Sequence, residues 1–373
     1  MEHSGLTPPG AVVAADLAQV VARPGPFASV YLSTEAEIDN ASQRSQTRWK
    51  TLRRDLEGAG VPEEILAGVE EVIGDAHLSG QALGVVADAG GRLVEHSPEP
   101  LPRDRATWAP APALVPIIAW RQSSPPCLAV LADRTGADLL VFRHELPDVQ
   151  REAGGEHGPV TRAGPGGWSQ PRYQRRAENT WEHNAGDVAA EVVALVERFE
   201  PRVIVVAGDV RAVELLRGQL PSELAERLKV VEGGRAEDGS HRHFMASLRQ
   251  RVDEAVDADT AALLGKFAQE LGQSDRAADG PEAVLAALAR GQVEVLLAAD
   301  QADDERLAYF GPEPTQVGRS QADVAAMGAE DPQEAPLVDV AVRAALGTGA
   351  GVRVVPPDSG PTGGLGAILR WSS

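Results

Sequence analysis

The chain has 373 residues, 43% of them apolar and 24% charged, which suffices for two or three globular domains and excludes a disordered or fibrous protein. Its formal charge of −20 excludes nonspecific attraction to nucleic acid over the general surface, so any RNA contact is confined to a patch. The single cysteine, Cys127, excludes a disulfide framework and a thiolate metal site; with no basic leader and no run of 18 apolar residues, the expectation is a soluble, cytoplasmic protein without a membrane partner.

In chain order, a short helix is predicted over 12–22 and a strand over 27–33, where FASVYLS alternates. A polar helix over 37–57 carries Arg44, Arg48, Lys50, Arg53 and Arg54, with acids on both flanks that read it as a solvated face. A second helix follows from Pro62 to near Gly74, then a hairpin, 81–87 with 92–96, around Asp88-Ala-Gly-Gly91. Residues 97–126 are Pro-rich, with an apolar strand expected at 113–120, and read as the crossing between domains. A second hairpin, 128–132 with 137–143, turns at Asp133 to Gly136, and a Gly/Pro loop is expected over 147–171. After it come a long amphipathic helix to about Phe199, a buried strand at 203–207, two shorter helices, a strand at 228–231 and a long helix over 241–271. The last third reads as helix 281–290, strand 293–298, an acidic surface insertion at 300–336, helix 337–346 and strands at 352–355 and 366–371. The fold class is α/β (α+β) in three domains: 1–125, 126–273 and 274–373.

The function-bearing stretch is Gly164-Pro-Gly-Gly-Trp-Ser-Gln-Pro-Arg-Tyr-Gln-Arg-Arg176. Ser169 suits an N-cap and Pro171 the first turn of the helix that follows. Arg172, Arg175, Arg176, Asn179 and His183 share one face at helical spacing, while Tyr173, Ala177, Trp181, Val188, Val192 and Leu195 face a core. From His157 to Ala177 there are four arginines, Arg162 among them, and no acid. On an acidic protein that is a local anion site, and phosphate backbone is its obvious ligand, unless acids from elsewhere in the fold pair with these arginines.

Gly166-Gly167-Trp168-Ser169, then Arg172-Tyr173 and Arg175, resembles the Gly-Gly-Gln-Ser-x-x-Arg-Phe segment of archaeal and eukaryotic class-1 release factors. The domain order is similar to the bacterial branch of the archaeo-eukaryotic release factor and Pelota superfamily, related to the hibernation factor Balon and to peptidyl-tRNA hydrolases of ribosome quality control. The resemblance implies a ribonuclease-H-like middle domain, a C-terminal domain like the kink-turn-binding proteins, and the ribosome as partner. It places the loop near the peptidyl transferase centre from the A site, with tRNA and elongation factor Tu as further partners. Gly166, Gly167, Trp168, Ser169, Arg162, Arg172, Tyr173, Arg175 and Arg176 are then the RNA-binding residues. The family's catalytic Gln is replaced by Trp168, whose indole has one donor and no acceptor and cannot position a water as a carboxamide does. That leans the reading away from an enzyme and toward hibernation or ribosome protection. Gln170 and Gln174 are the candidates for a remaining peptidyl-tRNA hydrolase activity.

Other constellations carry less. Asp133, Asp138, Glu178 and Asp209 lie near strand ends, but no spacing among them demands a metal. His241-Arg-His243 falls at a helix start, where alternate residues diverge. The Gly pairs lack the Lys of a phosphate-binding loop and no nucleophile elbow surrounds Ser169, so neither cofactor nor metal is expected.

Overall fold

The chain begins with α1 (Ala15–Val21) and β1 (Phe27–Ser33), and every residue of β1 is buried. The computed structural model describes residues 11–12, 14–34, 41–75, 80–97, 99–133, 136–142, 147–154, 170–232, 240–273, 276–299, 304–358 and 360–372. After β1 come α2 (Ala41–Gly58), α3 (Glu63–Asp75), β2 (Ala82–Asp88), β3 (Gly91–Ser97) and β4 (Arg105–Ala109). The strands form an antiparallel sheet in the order β3-β2-β1-β4. Trp49, Leu52 and Leu56 of α2 and Leu66 and Val69 of α3 pack on Val30, Leu32, Leu83 and Val85. The Pro-rich crossing departs from expectation. It contains strand β4, and 113–120 is not a strand, because Val115–Ser123 is helix α4. Pro116 sits in the first turn, where its missing N–H costs nothing, and Val115, Ile117 and Ile118 are buried.

The next elements are β5 (Cys127–Ala132), β6 (Gly136–Phe142), β7 (Pro147–Gly154), α5 (Gln170–Phe199), β8 (Val203–Gly208), α6 (Val210–Gln219), α7 (Ser222–Arg227), β9 (Leu228–Val230) and α8 (Ser240–Gln273). Their sheet has the order β7-β6-β5-β8-β9; the first three strands are antiparallel and β5, β8 and β9 are parallel. Side chains alternate across it. Leu128, Val130, Ile204 and Val206 face α5 and α6, while Ala129, Leu131, Val203 and Val205 face Phe244 and Leu248 of α8. Strand β7 occupies what reads from sequence as loop, so the Gly/Pro segment is shorter than expected. At the carboxyl end of β8, Gly208 has φ 133°, and a Cβ there would lie 1.8 Å from the Ala132 carbonyl oxygen. Only glycine permits that approach.

The last third comprises β10 (Ala277–Asp279), α9 (Pro281–Ala289), β11 (Val293–Ala299), β12 (Leu307–Phe310), β13 (Val317–Gly318), α10 (Gln321–Ala326), β14 (Gln333–Pro336), α11 (Leu337–Gly347), β15 (Gly351–Val355) and β16 (Leu365–Leu369). A mixed sheet runs β10-β16-β11-β15, with Leu263 and Phe267 of α8 on one face and α9 and α11 on the other. The described part of 300–336 is not a surface loop. It forms a second sheet, β13-β12-β14, whose Phe310, Val317 and Ala335 enter the main core. Its helix α10 starts at a capping box, Ser320 with Asp323.

The chain divides into two compact units, Met1–Gln122 with Ala258–Ser373, and Ser123–Asp257. The first unit is built from both ends of the sequence. Leu17, Val20 and Val21 of α1 and Ile117 and Ile118 of α4 share one apolar cluster with Val340, Ala341 and Ala344 of α11. The second unit is inserted between them. Helix α8 spans the division: Phe244 and Leu248 serve the core of the inserted unit, and Leu263 and Phe267 that of the other.

Candidate nucleic-acid interface

Helix α5 carries the described part of the candidate site. Its 30 residues, about 45 Å at 1.5 Å per residue, begin at Gln170, as the Ser169 and Pro171 signals predict. Arg162, Gly166, Gly167, Trp168 and Ser169 lie outside the described residues. Gln170, Arg172, Tyr173, Gln174, Arg175 and Arg176 occupy the first two turns of the helix.

The helix register separates these positions. Eighteen residues make five turns at about 3.6 residues per turn, so positions 18 apart share an arc. Arg172, Arg176 and Asn179 therefore share the arc of Ala190, Ala194 and Glu197, all exposed, and Arg175 that of half-buried Val193. Gln170 and Gln174 share the arc of Val188 and Val192, which are buried against the sheet. Arg172 and Arg176 thus lie on the arc that is solvated further along the helix, Arg175 at its half-buried edge, and the two glutamines on the arc that is buried there. His183 continues the stripe and is 59% exposed, with its Nε2 3.9 Å from the Asp187 carboxylate. From that point the exposed arc turns acidic, through Asp187 and Glu197.

Two of the four carboxylates near the strand ends, Asp133 and Asp209, serve the backbone. Asp133 accepts from Gly136 N at 3.0 Å and closes the β5–β6 turn. Asp209 caps α6, accepting from Arg211 N and Ala212 N at 3.1 and 3.2 Å. Asp138 is on β6, opposite Glu152 of β7, and Glu178 is on α5. His241 and His243 are in the first turn of α8. Among the described residues, no group of three or more His, Cys, Asp or Glu side chains is placed to hold a metal ion, and no helix is long and apolar enough to cross a membrane.

Arg48 and Arg53 of the basic helix α2 are engaged within the fold. Arg53 donates to Glu57, Glu63 and Glu70, each at 2.8 Å, and its guanidinium pKa is raised, chiefly by the hydrogen bond to Glu63. Arg48 donates to the Ser33 carbonyl and lies 3.8 Å from Asp104. Sequence reasoning missed strand β7, which brings the chain to Gly154 at the base of the loop. Its Val149 and Ala153 pack on the core at an even spacing, but polar residues between them mask the alternation.

Residues 126–273 match the model of bacterial archaeo-eukaryotic release factor family 2. The uncharacterized protein Rv2629 of Mycobacterium tuberculosis is 27% identical over 362 residues, covering 95% of this chain and 96% of that protein. Among solved structures, Archaeoglobus fulgidus Pelota is 18% identical, with 78% of this chain and 79% of that one covered and a TM-score of 0.31. Dom34 of S. cerevisiae, a translation termination-like factor, is 11% identical, with 79% and 74% covered and a TM-score of 0.35. The matched segment contains both the Gly-Gly-Trp-Ser motif and helix α5, so the part of the chain that is similar to this family is the part that carries the candidate site.

Proposed function

We propose that this protein binds the ribosome, occupies the A site and presents the Trp168 loop to the peptidyl transferase centre, so protecting idle ribosomes. The observation that carries this reading is the register of α5: in an acid-free stretch directly after the loop, Arg172 and Arg176 fall on the arc that is exposed further along the helix and Arg175 at its edge. Arg162, Arg172, Arg175 and Arg176 neutralise RNA phosphates, Gly166 and Gly167 let the backbone approach closely, and Trp168 stacks on a base. Ribosomal RNA is the partner, tRNA a neighbour at the site, and elongation factor Tu the deliverer; the cytoplasm is where they meet. The strand order β7-β6-β5-β8-β9, antiparallel then parallel, supports a ribonuclease-H-like middle domain. We take 1–125, 126–273 and 274–373 as the functional divisions, the last kink-turn-binding-protein-like.

The alternative is peptidyl-tRNA hydrolysis with Gln170 or Gln174 positioning water. Both share the arc of buried Val188 and Val192, away from the arginines, and Trp168 lacks an acceptor, so the plug is favoured. Co-sedimentation with 70S ribosomes tests the proposal. Wild type pellets and the Arg172/Arg175/Arg176→Glu variant does not; equal pelleting of both sinks it. Peptidyl-tRNA cleavage that is lost in Gln170→Ala or Gln174→Ala would establish the hydrolase instead.

A further inference from the structure

The chain leaves the first unit at Gln122 and returns to it at Ala258. Both crossings are held by one strand. On the outgoing side, Gln122 Nε2 donates to the Val354 carbonyl at 2.6 Å, and Val354 N donates to Gln122 Oε1 at 2.9 Å. The carboxamide replaces a strand residue on the edge of β15, which has no neighbouring strand there among the described residues. Two residues along the same edge, Val12 and Val352 exchange both backbone hydrogen bonds, at 2.8 and 3.1 Å. On the returning side, Arg353 lies between Val352 and Val354 and points to the other face, as strand alternation requires. It is 2% exposed and donates through Nη2 to Thr260 Oγ1, in α8 two residues past the return at Ala258.

We propose that β15 is a common anchor for both connections to the inserted unit, so that loosening one connection loosens the other. The arrangement has a physical rationale. A strand held by β11 on one side cannot shift its backbone at Val354 without moving Arg353, and Arg353 is buried where it cannot trade Thr260 for water. Displacement of the chain at 122–123 reaches α8 at Thr260 through two consecutive residues of one strand. Both ends of the first unit that lead to the insertion thus engage consecutive residues of one strand.

Hydrogen exchange of the full-length protein, read by NMR or mass spectrometry, tests this with Gln122→Leu and, as a milder substitution inside the helix, Thr260→Val. Gln122→Leu is expected to speed exchange at least tenfold at Val354 and several-fold at 258–263, with β1 and β5 unchanged. Thr260→Val is expected to speed exchange at 258–263 and, several-fold, at Val354. An effect of each variant confined to its own connection overturns the common anchor and leaves two independent contacts. A uniform rise that includes β1 and β5 also overturns it, since that reports a general loss of stability.

Discussion

Two helices of this chain carry clusters of arginine, and they differ in what surrounds them. Helix α2 holds Arg44, Arg48, Arg53 and Arg54, yet Arg53 alone engages three glutamates, two of them at the start and in the second turn of α3. The first turns of α5 hold three arginines inside a stretch, 157–177, that contains no acid at all. The same contrast holds between the units. Met1–Gln122 with Ala258–Ser373 contains 33 acids against 18 basic residues, whereas Ser123–Asp257 contains 22 against 17. A cluster of cations is therefore informative only against the acids within reach of it. On α2 the clustering lets Arg53 join two helices; on α5 the local sequence supplies no acid to match it.

The largest effect comes from removing the support beneath α5. Val192 is fully buried between the helix and the sheet, and Val192→Asp places a charge there with no partner. The inserted unit should lose about 4 kcal/mol or more. Calorimetry should show the transition of that unit lowered or lost while the unit carrying α2 still melts cooperatively; a single shifted transition would erase the distinction between them. Charge reversal on the surfaces is next. Arg172/Arg175/Arg176→Glu should abolish ribosome pelleting, and single Arg→Ala changes there should each shallow its salt dependence by about one counterion. Arg44/Arg54→Glu on α2 should leave pelleting as in wild type, and loss in both variants would show that the helices act alike. A smaller effect is expected of Arg53→Ala, which frees Glu57, Glu63 and Glu70 from their common partner. It should cost about 1 kcal/mol or less in chemical unfolding and nothing in ribosome binding.

Most elements of the fold are legible where periodicity is clean. Residues 27–33 and 203–207 read as strands, and 281–290 and 337–346 as helices, and all four are found. The failures have physical causes. Val115–Ser123 is a short apolar run, for which strand and helix look alike. Strand β7, PDVQREAG, is an edge strand with a polar outer side. The 300–336 stretch was misread because its apolar residues are sparse, and three short strands bury them only by pairing together. The joining of the two chain ends is invisible locally, since it rests on pairs such as Val12 with Val352 and Gln122 with Val354. For the site, sequence alone supplies the arginine register, and the structure adds the buried arc on which Gln170 and Gln174 fall. The tip, Gly166 to Ser169, lies outside the described residues.

A cation engaged by acids leaves a signature in the pH dependence of stability. Arg121 donates to Asp16 through Nη1 and Nη2 at 3.0 and 2.7 Å and to Glu95 through Nε at 2.8 Å, tying α1 to α4 and β3. Its hydrogen bond holds the Asp16 carboxyl below the usual carboxylate range, against the opposing effect of partial burial. A carboxyl whose pKa is lower folded than unfolded adds stability above the unfolded value of about 3.9, and that stability is lost as pH falls through the folded value. Asp16 is about half exposed, so solvent screening limits the gain to roughly half a kcal/mol. Asp16→Asn should therefore unfold slightly more easily than wild type at pH 7, with the difference shrinking as the pH falls below the unfolded value of about 3.9. A difference that persists undiminished at pH 2 would mean that the substitution acts through the packing of α1 on α11 rather than through charge. The arginines of α5, with no acid between 157 and 177, should give no such acid limb when replaced.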